Sequence, residues 1–333
     1  MAHELATKTN GEAAIAYVGK KPWHGLGQEL TPNQPIEVWR KESGLDYEVL
    51  RSPVLFNTPE LAQFKGRDVL YRSDTGHPLS VVSNGYKIVQ PSQILDFFAK
   101  LSEIGGFELE TAGVLSGGKR IWALAKVGHG DNVIGHDEVR PYILFATSFD
   151  GTMATTAKFT AIRVVCNNTI TMAVGRGFNQ AGKSEVDTEN LVVNSMVRIP
   201  HSQNVDVDDV RKRLGIVSDI YERWLIQTRL LAEKAMSNEN AAQFTKELLG
   251  TKSDKPVEET KSYKQIMNLF NGNIIGADLA GDHNRWTYLN AITQYVDHER
   301  GKSDDTRLSG AWFGTGESLK NKAYDLLLED LDA

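Results

Sequence analysis

The 333-residue chain has a single cysteine, Cys166. One thiol excludes an internal disulfide and a thiolate metal cluster, a usage expected of a cytoplasmic protein. No run of about 18 apolar residues occurs, so no segment is expected to span a membrane. The first 25 residues lack the apolar stretch of a signal peptide. Basic residues are the minority, 37 against 43 acidic, for a net charge of −6. That balance excludes a globally basic nucleic-acid coat but leaves room for a local basic patch.

Catalytic signatures are missing too. The eight histidines form no HxxxH or HExxH pair. LSGGKR, residues 115–120, lacks the spacing of a phosphate loop and stands between two strand-like runs, as a hairpin turn does. Cys166 has no histidine near it in sequence and follows two valines at the expected end of a strand. A buried packing role fits it better than a nucleophile. No kinase, hydrolase, Rossmann or metalloprotease pattern is found, so no catalytic residue, metal or cofactor is expected and nothing supports an enzyme.

What is present reads as α+β: an antiparallel sheet with a packed helix, followed by a C-terminal helical region. Residues 1–30 read as irregular, 31–203 as the sheet domain and 204–333 as the helical region. PIEVWRKESG, from Pro35, has the Pro-first, Gly-last form of a short helix. YEVLRSPVLF, DVLYRSD, PLSVVSNGYKIVQ, FELETAGVL, KRIWALAKVG, PYILFATSFDG and TMATTAKFTAIRVV read as strands. Asn84-Gly85, Gly117-Gly118 and Asp150-Gly151 are hairpin signals among them. PSQILDFFAKLSEIGG places Ile94, Phe97, Phe98, Leu101 and Ile104 on one helical face. From Val205 the steps alternate three and four through Trp224, Thr228 and Leu231 to Ala235, which predicts one long helix. Further helices are predicted near 238–250, 257–271, 284–300 and 316–331, with a linker at 250–256. The last 129 residues carry 17 basic and 22 acidic side chains, so nearly all the net charge sits in the helical part.

The window 151–184 contains no Asp or Glu, yet carries Lys158, Arg163, Arg176 and Lys183 with several Thr and Asn donors. Phosphate oxygens accept from such groups, and a missing carboxylate preserves the local field. KRIWALAK adds Lys119 and Arg120 beside Trp122, and NGYKI adds Tyr86 and Lys87. Cations that follow a backbone and rings that stack on bases suit single-stranded nucleic acid. Trp122 and Tyr86 can equally be core residues of alternating strands. Arg163, inside AIRVVC, must reach solvent, pair with a carboxylate or cap carbonyls. Asn167-Asn168 reads as a helix N-cap or a turn, and a helix starting there would offer an anion site beside Arg163.

PWHGLG, NGYKIVQPSQILDFF, AGVLSGGKRIWALAK, SFDGTMATTAKFTAIRVVCNNTITMA, RWTYLNAITQYVDHERG and LSGAWFGTGESLKNKAYDLL together resemble the phage- and plasmid-borne family called domain of unknown function 932. The resemblance runs over about residues 15–330, and RVVCNNT is its most specific motif. It implies a mobile-element protein acting in the cytoplasm, in a setting where single-strand binding, annealing and recombination are common. The expected function is non-enzymatic binding or annealing of single-stranded DNA. Lys119, Arg120, Lys158, Arg163 and Arg176 would contact phosphate, Asn167 and Asn168 would hydrogen-bond, and Tyr86 or Trp122 would stack. A homo-oligomer is the expected assembly. The alternative is a protein–protein module, such as an inhibitor of a host defence enzyme.

Overall fold

The protein is described from a computed structural model covering residues 5–19, 25–104, 106–165, 168–171, 196–206, 209–210, 217–250, 256–301 and 310–329. It is an α+β structure that divides into two compact units, each assembled from separated segments. The first comprises Met1–Gly128, Tyr142–Lys158 and Met196–Leu214; the second comprises His129–Pro141, Phe159–Ser195 and Gly215–Ala333.

The first unit holds a mostly antiparallel sheet. Strand β1 (Ile15–Val18) pairs in parallel with β2 (Gln28–Leu30) and antiparallel with β6 (Phe107–Leu115). Strand β6 pairs with β7 (Arg120–Val127), and β7 with the Tyr142–Ser148 part of β9 (Asp137–Ser148). Helix α2 (Pro91–Ile104) covers this sheet with the expected face: Ile94, Phe97, Phe98 and Leu101 are buried, and the Phe97 ring meets Phe145 edge-on at 4.6 Å. Ile104 carries no description beyond its helical backbone. Helix α1 (Ile36–Glu42) follows Pro35 as expected, and Gly44 closes it at φ 74. A Cβ on Gly44 would stand 2.6 Å from the Ala14 Cβ, so only glycine fits.

A second sheet, of order β3-β4-β5, belongs to the same unit. It comprises β3 (Val49–Thr58), β4 (Glu60–Arg72) and β5 (Pro78–Ser83). Strand β5 pairs only with Arg67–Tyr71 of β4, so Val54–Gly66 forms a two-stranded arm.

Two expectations change here. Residues 1–30 contain β1 and β2, whose four and three residues are too few to show an alternating pattern. Asn84-Gly85 does form a turn, with Tyr86 N–H donating to Ser83 O, but residues 86–90 make no return strand. The Tyr86 phenol is drawn inward instead, donating to Ser148 O at 2.7 Å. The Gly117-Gly118 hairpin forms as expected between β6 and β7, with Ser116, Gly117 and Gly118 at φ 52, 67 and 105.

In the second unit, β8 (Asp131–Ile134) folds back on Asp137–Val139 of β9, and the Thr160–Arg163 end of β10 (Thr155–Arg163) pairs with β11 (Asn168–Thr171). Helices α3 (Val217–Glu233), α4 (Asn238–Leu249), α5 (Lys261–Asn268), α6 (Arg285–Gln294) and α7 (Thr315–Glu329) form the rest, at the predicted positions. The helix expected from Val205 is described only at 209–210 and from Val217; residues 207, 208 and 211–216, and 251–255 of the linker expected at 250–256, lie outside the described residues. Trp224, Thr228 and Leu231 of its seam are buried, but the helix stops at Glu233, and Ala235 is exposed in a bridge to Asn284. Tyr221 donates to Val139 O, and Arg229 donates twice to Asn132 O while pairing with Asp131 at 3.1 Å; these contacts hold α3 on the β8–β9 turn. Helix α6 is buried from Trp286 through Gln294, polar residues included, so it runs through the core of the unit.

Candidate nucleic-acid interface

Arg163 has the paired outcome of the three open to it. Its side chain is completely buried. Nε donates to Asp137 Oδ1 at 2.7 Å and Oδ2 at 3.0 Å, Nη1 to Ile275 O at 2.7 Å and Nη2 to Gly276 O at 2.8 Å. Asp137, equally buried, also accepts from the Trp286 indole at 2.8 Å. A buried guanidinium is tolerable only when its donors are met and its charge is offset, and here both conditions hold. Arg163 is therefore an internal strut of the second unit, not a phosphate contact.

Other expected contacts are internal as well. Lys158 is 3% exposed on β10, opposite Met196 of β12 (Met196–Ile199). Trp122 is 4% exposed in the middle of β7. Tyr86 is 8% exposed, with its ring stacked on His201 at 4.3 Å, so it cannot stack on a base. Burial pushes its phenol well above the ordinary tyrosine range. Asn168 lies on β11 opposite Arg163, so the described residues Asn168–Thr171 form a strand and not the first turn of a helix. Asn167, Arg176 and Cys166 lie outside the described residues.

Lys119 and Arg120 stand apart from these. Lys119 is exposed beside the Gly117-Gly118 turn. Arg120 is half-buried, and its Nη2 donates to Thr152 Oγ1 at 3.1 Å. Both belong to the first unit, whereas Arg163 belongs to the second.

Exposed aromatic and basic groups occur together on the arm and at its base. Phe56 and Phe64 are 44% and 52% exposed and meet edge-on at 6.4 Å. Lys65 and Arg67 follow them on β4, exposed, and neither has an ion-pair partner among the described residues. Arg67 stands opposite Ser83, and Asn84 N–H donates to Gly66 O, so the Asn84-Gly85 turn lies beside these cations. From that turn the chain leads to exposed Lys87, whose N–H donates to His201 O at 2.6 Å, and Arg198 stands exposed on β12 just before it. Arg51 pairs with Asp68 at 3.0 Å and donates to the Tyr86 and Asn84 carbonyls, which ties the base of the arm to this turn. Lys65, Arg67, Lys87 and Arg198 thus lie on a run of directly bonded segments. Of these only Lys87, within NGYKI, stood out in sequence. Phe56, Phe64, Lys65 and Arg67 carry no motif, and their only signal is large apolar residues in a stretch rich in polar ones.

This fold and surface define an α+β protein with an exposed, aromatic hairpin arm and cations at its base. The chain belongs to the family described as domain of unknown function (DUF932), whose model matches residues 78–312. Comparison with curated proteins and with solved structures gives no match. The arm precedes the matched span, so it is a feature of this chain outside the family model.

Proposed function

We propose that the protein binds single-stranded nucleic acid in the cytoplasm, along the ribbon from the arm rings through Lys65 and Arg67 to Lys87 and Arg198. The observation that carries this reading is the exposed Phe56–Phe64 pair on an arm that continues along β4 into Lys65 and Arg67, two exposed cations with no ion-pair partner among the described residues. Rings supply sequence-tolerant stacking, worth about 1–3 kcal/mol per base, and the cations follow the backbone. Fluorescence anisotropy of a labelled oligothymidylate at about 50 mM and 200 mM salt tests it. The expected outcome is salt-sensitive binding. Replacing Lys65 and Arg67 by alanine lowers the salt slope by about 1.4, from about 0.7 per single-strand phosphate contact. Phe56→Ala with Phe64→Ala weakens binding at every salt concentration. An oligonucleotide that shows no anisotropy change at the lower salt overturns the reading.

A protein partner is the second reading, favoured by the other face of the arm. Leu55 stands opposite Gln63 and Leu61 opposite Asn57, which puts both leucines on the face away from the rings, 53% and 68% exposed. Capture of a host protein that survives nuclease treatment and is lost with Leu55→Ser and Leu61→Ser supports this reading over the first.

A further inference from the structure

A cleft of about 550 Å³ opens in the first unit among α1, α2 and the start of β6, a size typical of small-molecule sites. Three aromatic residues line it: Trp39, Phe98 and Phe107. Trp39 and Phe98 are almost wholly buried beneath it, and Phe107, half-buried at the edge, is the ring open to the cleft. Glu108 and Glu110 are the only charged residues among the described residues that line it.

Glu110 is placed there by the backbone. The β6–β7 register breaks between Leu109 and Thr111, which leaves Glu110 as the extra residue of a bulge. Such a residue is turned out of the alternating pattern and re-aims its side chain. The buried Tyr142 then fixes it, its phenol donating to Oε1 at 2.9 Å and Oε2 at 3.0 Å. Glu108 has Lys126 only at 3.9 Å, and its side chain is 75% exposed.

We propose that this cleft binds an organic cation: an ammonium or guanidinium group on an apolar stem. The stem lies against the half-buried Phe107 ring, whose face also attracts the positive head. The head meets the Glu110 carboxylate, with Glu108 adding to the field. A free amine and a lysine or arginine side chain of a peptide present the same chemistry.

Titration calorimetry of the full chain with phenethylamine, with its neutral isostere 2-phenylethanol and with N-acetyl-Phe-Lys-amide tests the site. Phenethylamine should bind saturably, about tenfold tighter than the alcohol, the factor that one charge-assisted hydrogen bond supplies. Glu110→Gln should weaken the amine by about the same factor. Glu108→Gln, at an exposed side chain that the fold does not need, should weaken it less and leave the melting temperature unchanged. Displacement of phenethylamine by a lower concentration of the dipeptide identifies a protein side chain as the source of the cation; failure of the dipeptide to compete identifies a free amine. Equal affinity for amine and alcohol, or unchanged amine binding when Glu108 and Glu110 are both replaced by glutamine, overturns the proposal.

Discussion

Arg163→Ala would leave Asp137 charged and buried and two carbonyls, of Ile275 and Gly276, without their donors. Breaking a buried pair from one side costs about 3–5 kcal/mol, so urea unfolding of this variant should show a loss of that size. Gly276→Ala should also destabilise the protein, because a Cβ there would stand 2.7 Å from Val165 at a φ of +69. A pH-dependent case is Asp74. Its burial opposes ionisation, but the Arg72 hydrogen bonds and charge outweigh this and hold the carboxyl below its ordinary range. A depressed folded-state pKa gives stability that is present above the unfolded-state value and lost as pH falls through the folded-state value. Asp74→Asn should therefore cost at most about 1 kcal/mol near pH 7, and the difference from the parent should shrink as pH falls below the ordinary carboxylate range in thermal melts. At this scale the sequence was half readable. An arginine in an apolar run demands one of three fates, but Asp137, 26 residues earlier, looks like any acid next to a turn.

The elements with strong local codes were the legible ones. Helix α2 declares itself by one apolar face, and the β6–β7 hairpin by its paired glycines. The arm was not legible, because neither of its faces is buried against the core and alternation therefore has nothing to report. Pro53 sits at its base on an edge strand, where a missing N–H is tolerated, and the register break between Pro53 and Leu55 falls beside it. Replacing Val54–Lys65 by a short Asn-Gly turn should leave the melting temperature within about 3 °C, since exposed side chains contribute little. The same deletion should abolish oligonucleotide binding. The pair of measurements separates an arm that recognises a partner from one that holds the fold.

At the scale of the whole molecule, neither unit is a continuous stretch of chain. The second takes His129–Pro141 and Phe159–Ser195 out of the middle and completes them with helices from beyond residue 214. A chain ending at residue 204 would lack Trp286, Ile275 and Gly276, which hold Asp137 and Arg163. Hydrogen exchange on such a fragment should show fast-exchanging amides over 131–139 and 159–165, while α2 and β6–β7 stay protected. Composition could not show this: the shift in character near residue 204 marks a change of secondary structure, whereas the partition follows contacts made far apart in the chain. The Asp137–Trp286 bond, across 149 residues, also sets a clock. At about 5–20 residues per second a ribosome needs roughly 7–30 s to deliver the tryptophan after the aspartate. For that interval a nascent chain carries β8, the first residues of β9 and the end of β10 without their core, and chaperones have that long to find them.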